Sequence, residues 1–246
     1  MDPLKERLDK LVDGLSADKK EIVKTRLANL VSVYPFNEYE YIISTLLAFE
    51  KITIEDYHEI RDEYIAKNIY LNIFQIGSPR GFGELWAQGH LKELVPELEK
   101  PTKKLEENYK GDYDFILPGQ DHMVRIEVKA SRAVDGDSAE PLYVKALAFD
   151  SKQPFWMNFQ QIKTAHCDVF VWIAVWRDVI KYWVLSSDEV KNNKYYSKGQ
   201  HRGNVGEGQL HLKDDNIKDF QIYEVKASEL KEAIVRAYER QKGIVK

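Results

Sequence analysis

Five letters, EVKAS, occur twice in this chain, at Glu127–Ser131 and again at Glu224–Ser228. A glutamate and a lysine two residues apart share one face of a strand. Magnesium prefers carboxylate oxygens and several waters, with only one or two side-chain carboxylates. Hydrolysis of a phosphodiester then needs a positioned water and compensation for charge building on phosphate, which a neighbouring ammonium supplies. A Glu-x-Lys pair is therefore half of such a site. A second carboxylate must be brought to it.

Around the first copy, VRIEVKA predicts a strand with Val124, Ile126 and Val128 on one face and Arg125, Glu127 and Lys129 on the other. Upstream, GDYDFIL reads as a partner strand. With a hairpin turn at Pro118 to Asp121, Asp114 falls opposite Glu127 within about one residue, where Cβ atoms sit roughly 4.5–5.5 Å apart. Two carboxylates at that separation repel unless a cation lies between them. The second copy lacks a partner: Asp219 precedes Glu224 on the same short stretch, and Ser228 followed by Glu229 and Glu232 reads as a helix N-cap. That copy is taken as structural.

The longer pattern, GDYDFIL, a turn, then VRIEVKAS, resembles the PD-(D/E)xK nuclease superfamily, which includes most type II restriction endonucleases. The resemblance spans roughly residues 79–175 and is carried by 111–131. It implies Asp114 and Glu127 as ligands of Mg2+ and Lys129 as the residue that positions or activates water. An acid on the preceding helix often takes part, and Glu84 matches by position. Tyr113 stands where the family has proline, so Asp112 and Asp114 both remain candidates for the first ligand. The expected fold class is α/β: a restriction-endonuclease-like core with a mixed central sheet flanked by helices, plus an N-terminal helical subdomain.

Residues 1–70 supply the helical patterns, with Leu4, Leu8, Leu11 and Val12 at helical spacing, a Ser16 cap, and Thr53 with Asp56 opening a further helix. They form the expected subdomain, dimerising or DNA-flanking, and 71–246 the core. Within the core, GSPRGFGELWAQGHLKELV predicts a glycine-rich entry into a helix and FWMNFQQIK a helix. CDVFVWIAVW is a buried central strand, with VIKYWVLS its neighbour across Arg177-Asp178. The stretch 194–213 reads as loop.

At 246 residues with 43% hydrophobic and 12% aromatic content, the chain can bury a sizeable core. Its single cysteine, Cys167, excludes a disulfide framework or a thiolate zinc site within one chain. The N-terminus MDPLKERLDK lacks the apolar core of a signal peptide, and the longest apolar run, Val169 to Trp176, is too short to cross a bilayer, so a soluble cytoplasmic protein is expected. The net charge of −4 gives no general support for nucleic-acid binding. The four acids in excess lie within residues 1–70, which carry 10 Lys+Arg against 14 Asp+Glu. A DNA-facing surface must therefore be local.

The clearest basic stretch is 194–213, where Lys198, Gln200, His201, Arg202 and Asn204 are the candidate DNA contacts. Arginine and amide side chains suit base edges, and lysines suit phosphates. His201, Asn204 and His211 are too loosely spaced for a His-Asn-His metal site. Double-stranded DNA is the expected substrate, cut by a homodimer because two antiparallel strands meet one site per chain. A structure-selective or repair nuclease of the same superfamily, or a non-catalytic DNA-binding protein, are the alternatives.

Overall fold

The computed structural model describes residues 3–28, 35–107, 109–119, 122–199 and 206–243. Four helices come first: α1 (Pro3–Asp13), α2 (Ala17–Ala28), α3 (Pro35–Ala48) and α4 (Ile54–Ala66). Leu4, Leu8, Val23, Ile43, Leu46 and Ile60 are among the buried side chains of a hydrophobic cluster built from these helices and the turns that join them. The start of α4 is a reciprocal cap: Thr53 Oγ1 accepts from the Asp56 N–H at 3.1 Å, and Asp56 Oδ2 accepts from the Thr53 N–H at 2.9 Å. Such caps are worth about 0.5–2 kcal/mol. A π-helical turn, Gly81–Ala87, runs into α5 (Gln88–Leu94).

The strands are β1 (Phe115–Pro118), β2 (Met123–Arg132), β3 (Val134–Asp135), β4 (Phe155–Ile162), β5 (Val169–Val175), β6 (Ile180–Ser186), β7 (Tyr196–Lys198), β8 (Gly208–Lys213) and β9 (Glu224–Val225). The short helix α6 (Ser187–Lys191) follows β6, and α7 (Leu230–Gln241) comes after β9. One sheet has the order β1-β2-β5-β6-β9 and is mixed, because β2 and β5 run parallel while its other neighbours are antiparallel. The second has the order β3-β4-β8-β7 and is antiparallel throughout.

Every residue of β5 is buried, as its unbroken apolar run predicts for a central strand. Val169, Val171 and Ile173 face a core shared with Leu91, Leu230 and Ile234 of α5 and α7. Phe170 and Trp172 face a second core shared with Met157, Phe159 and Leu212 of the antiparallel sheet. The five-stranded sheet is thus covered by helices on one side and by a smaller sheet on the other. Among the described residues, no helix is long and apolar enough to cross a membrane.

Several expectations are corrected. FWMNFQQIK is the strand β4 rather than a helix, with Met157 and Phe159 in the core and Trp156 and Asn158 only half-buried. The stretch 194–213 is not all loop, since Tyr196–Lys198 pairs with Gly208–Lys213 as β7 and β8. Pro118 pairs with Met123, so Pro118 belongs to β1 rather than to the turn. Ser228 is not a helix N-cap: Lys226 caps a one-turn 3-10 segment, Ala227–Glu229, that leads into α7.

Candidate active site

β1 and β2 pair antiparallel with Phe115 across from Ile126, and the Asp114 N–H continues the ladder by donating to the Ile126 carbonyl at 2.9 Å. That register puts Asp114 beside Glu127. Val124, Ile126 and Val128 are buried in the helix-covered core, so Glu127 and Lys129 face the other way. Asp114, Glu127 and Lys129 line one cleft of about 710 Å3, whose opposite wall is β4.

Both oxygens of Asp114 are engaged. Val128 N–H donates to Oδ2 at 2.8 Å, a backbone group that finds a carboxylate where β1 offers no carbonyl. Gln88 Nε2, from the first turn of α5, donates to Oδ1 at 2.5 Å. The Gln88 carbonyl oxygen accepts in turn from Lys100 Nζ, which also lies 4.1 Å from the centroid of the Phe115 ring. Lys100 thereby fixes which end of the Gln88 amide meets Asp114. Burial pushes the Asp114 carboxyl up, against the opposing pull of the Val128 N–H and of Lys129.

Lys129 Nζ lies 2.7 Å from Glu127 Oε1, and both side chains are about one-seventh exposed. Burial pushes Glu127 up to about 7; Lys129 pulls it down, and the charge of Asp114 raises it further. Two desolvated carboxylates, Glu127 raised further by the charge of Asp114, with one ammonium beside them, form a donor set suited to a hard divalent cation. Among the described residues no group of three or more His, Cys, Asp or Glu side chains is arranged to hold a metal ion. The site would hold magnesium through Asp114 and Glu127 alone, within the one or two carboxylates that ion ordinarily takes.

Glu84 also lines the cleft, and its carboxylate is held by Arg80 Nε at 2.6 Å on an exposed helical turn. Its charge reaches Asp114 and Lys100. Asp112 lines the cleft as well, but it pairs with His166 Nδ1 at 3.2 Å. Asp114 is the one bound to Val128 and Gln88. The second EVKAS copy is engaged structurally, with Glu224 accepting from Lys181 Nζ at 2.7 Å across β6 and β9.

Sequence reasoning missed Gln88 and Lys100. Gln88 stands four residues after Glu84, on the same helical face, and that spacing was the available signal. Lys100 has no such signal, since it reaches the site only through the pairing of Glu99 with Ile116. Of the candidate DNA contacts, Lys198 is exposed at the end of β7, outside the cleft lining, while Gln200, His201, Arg202 and Asn204 lie outside the described residues.

No family model matches the chain, and no curated protein matches it. Among solved structures it is similar to a bacterial homing endonuclease, I-Ssp6803I, with a TM-score of 0.36 and 13% identity over 68% of this chain and 100% of that one.

Proposed function

We propose that the protein is a magnesium-dependent endonuclease with a PD-(D/E)xK core, acting on double-stranded DNA as a type II restriction enzyme and working as a homodimer. The observation that carries this reading is the meeting of Asp114, Glu127 and Lys129 in one cleft, from two adjacent strands, with Gln88 and Glu84 closing it from a helix. Bound magnesium supplies Lewis acidity and lowers the pKa of a coordinated water. Asp114 and Glu127 would hold the ion. Val128 N–H and Gln88 fix the Asp114 carboxylate before substrate arrives, so little reorganisation remains for the reaction itself. Lys129, already tethered to Glu127, orients the attacking water and offsets charge developing on the phosphate. Glu84, exposed where it lines the cleft and paired with Arg80, can accept a proton. The helices of residues 1–70, with their own core, serve as a dimerising or DNA-flanking unit in a cytoplasmic protein.

Plasmid incubated with the protein and Mg2+ should yield discrete bands, and EDTA should abolish them. A structure-selective nuclease would instead cut only branched or damaged substrates. Lys129→Ala should retain DNA binding and lose cleavage by at least about 100-fold, the scale of removing one preorganised charge donor. Unchanged cleavage in that variant refutes the role given to Lys129, and no cleavage of any DNA by the wild-type chain refutes the reading.

A further inference from the structure

The cleft wall facing the carboxylates is built by β4, and β4 breaks its own pattern. Met157 and Phe159 point into the core between the sheets, while Trp156 and Asn158 turn to the cleft. Strict alternation would send Gln161 into the core after Phe159. The pairing with β8 shifts instead: Phe159 faces Leu210, yet Ile162 faces Gly208, so Gln160 and Gln161 together occupy the space opposite Gln209. Gln161 takes φ 54°, and Ile162 returns to the core fully buried. The bulge thereby converts a core-facing position into a second outward one. Both glutamines are exposed and line the cleft that holds Asp114, Glu127 and Lys129. Neither side chain hydrogen-bonds to another described residue.

Left-handed backbone at a non-glycine residue is strained and persists where the surroundings over-determine it, often at functional sites. Here it sets two adjacent amides, free to donate and accept, on the same wall as Asn158, whose Oδ1 is buried without a partner among the described residues. The cation next along, Lys163, is held by Glu207 at 3.5 Å. Phosphates are gripped by free cations, whereas paired donor and acceptor groups match base edges, glutamine pairing with N6 and N7 of adenine in particular. We infer that the Gln160–Gln161 bulge is a base-reading element, recognising adenine edges next to the bond that is cut. The inference rests on the nuclease reading of the site and adds its specificity.

The test is a binding selection from a random duplex pool, using the full chain carrying Lys129→Ala in Mg2+ so that bound DNA stays intact. The consensus should contain A·T pairs that lose their preference when Gln160→Ala and Gln161→Gly are added. Affinity for the consensus should fall about 5- to 150-fold for each amide removed, while affinity for unrelated duplex stays unchanged. Gln161→Gly keeps the bulge, because glycine accepts that backbone without strain, so this variant should fold as well as its parent. An unaltered consensus in the double variant overturns the inference, as does the absence of any consensus. The two readings separate cleanly: a consensus that shifts while the wild-type chain cuts no DNA keeps the base-reading element and removes the nuclease, and cutting by the wild-type chain with an unshifted consensus does the reverse.

Discussion

Replacing Glu127 by glutamine should make the metal-free protein more stable at alkaline pH and leave it unchanged at acid pH. The carboxyl is buried between Asp114 and Lys129, and its pKa rises from 4.5 to about 7 on folding. Between those values the folded chain holds a proton that the unfolded chain has released. Stability contributed by this group is therefore full below pH 4.5 and falls as pH climbs through about 7. The span, at about 1.4 kcal/mol for each pH unit, comes to about 3 kcal/mol. Asp114 is raised in the same direction and steepens the loss. Glu127→Gln removes the Glu127 share but deprives Lys129 of its partner, so the expected gain at pH 8 is about 1–3 kcal/mol, or roughly 2–12 °C in Tm for a chain of this size. The assay is a pair of thermal melts, wild type and variant, in EDTA at fixed ionic strength from pH 4 to 9. The difference should be near zero at pH 4, grow from pH 5 to 7 and then level off. Adding Mg2+ at pH 8 should lift the wild type, by about 2.7 kcal/mol at a hundredfold excess over Kd, and leave the variant nearly unmoved. A Tm difference independent of pH, or equal stabilisation of both proteins by Mg2+, would refute the argument.

Gln88→Leu removes the 2.5 Å donor to Asp114 and the acceptor for Lys100; magnesium affinity measured by titration calorimetry should drop about 10- to 100-fold, as for other supports of metal ligands. Gly208→Ala would drive a Cβ into the Tyr196 ring where β7 and β8 meet, and chemical denaturation should show a loss of about 1–3 kcal/mol. Asp168 is buried and accepts from both the backbone and the guanidinium of Arg125; Asp168→Ala should lower the denaturation free energy by about 2–3 kcal/mol without changing the cleavage pattern.

What the sequence disclosed was what lies close along the chain. Asp114 and Glu127 are joined by one hairpin, so their encounter follows from alternation and a short turn, and an error of one residue at Pro118 did not disturb it. Thr53 and Asp56 announced α4 by a contact three residues long. The all-apolar β5 announced its central place by having no polar face. β4 was misread for a local reason as well. Trp156, Met157, Asn158 and Phe159 do alternate, but the two glutamines interrupt the period, and the interruption is the bulge itself. Gln88 was signalled only by its four-residue spacing from Glu84, and Lys100 stayed hidden because its part depends on where the Glu99 bridge settles against β1, which no short-range pattern encodes.

The acidic pair comes from one contiguous hairpin, yet the wall opposite it is laid down by β4, which is itself held by β8, far later in the chain. A chain still emerging from the ribosome, or clipped before Gly208, would carry the Asp114–Glu127 pair without the β8 partner that holds its facing wall. Assembly of the second sheet thus completes the cleft last, long after the hairpin has set the two acids side by side.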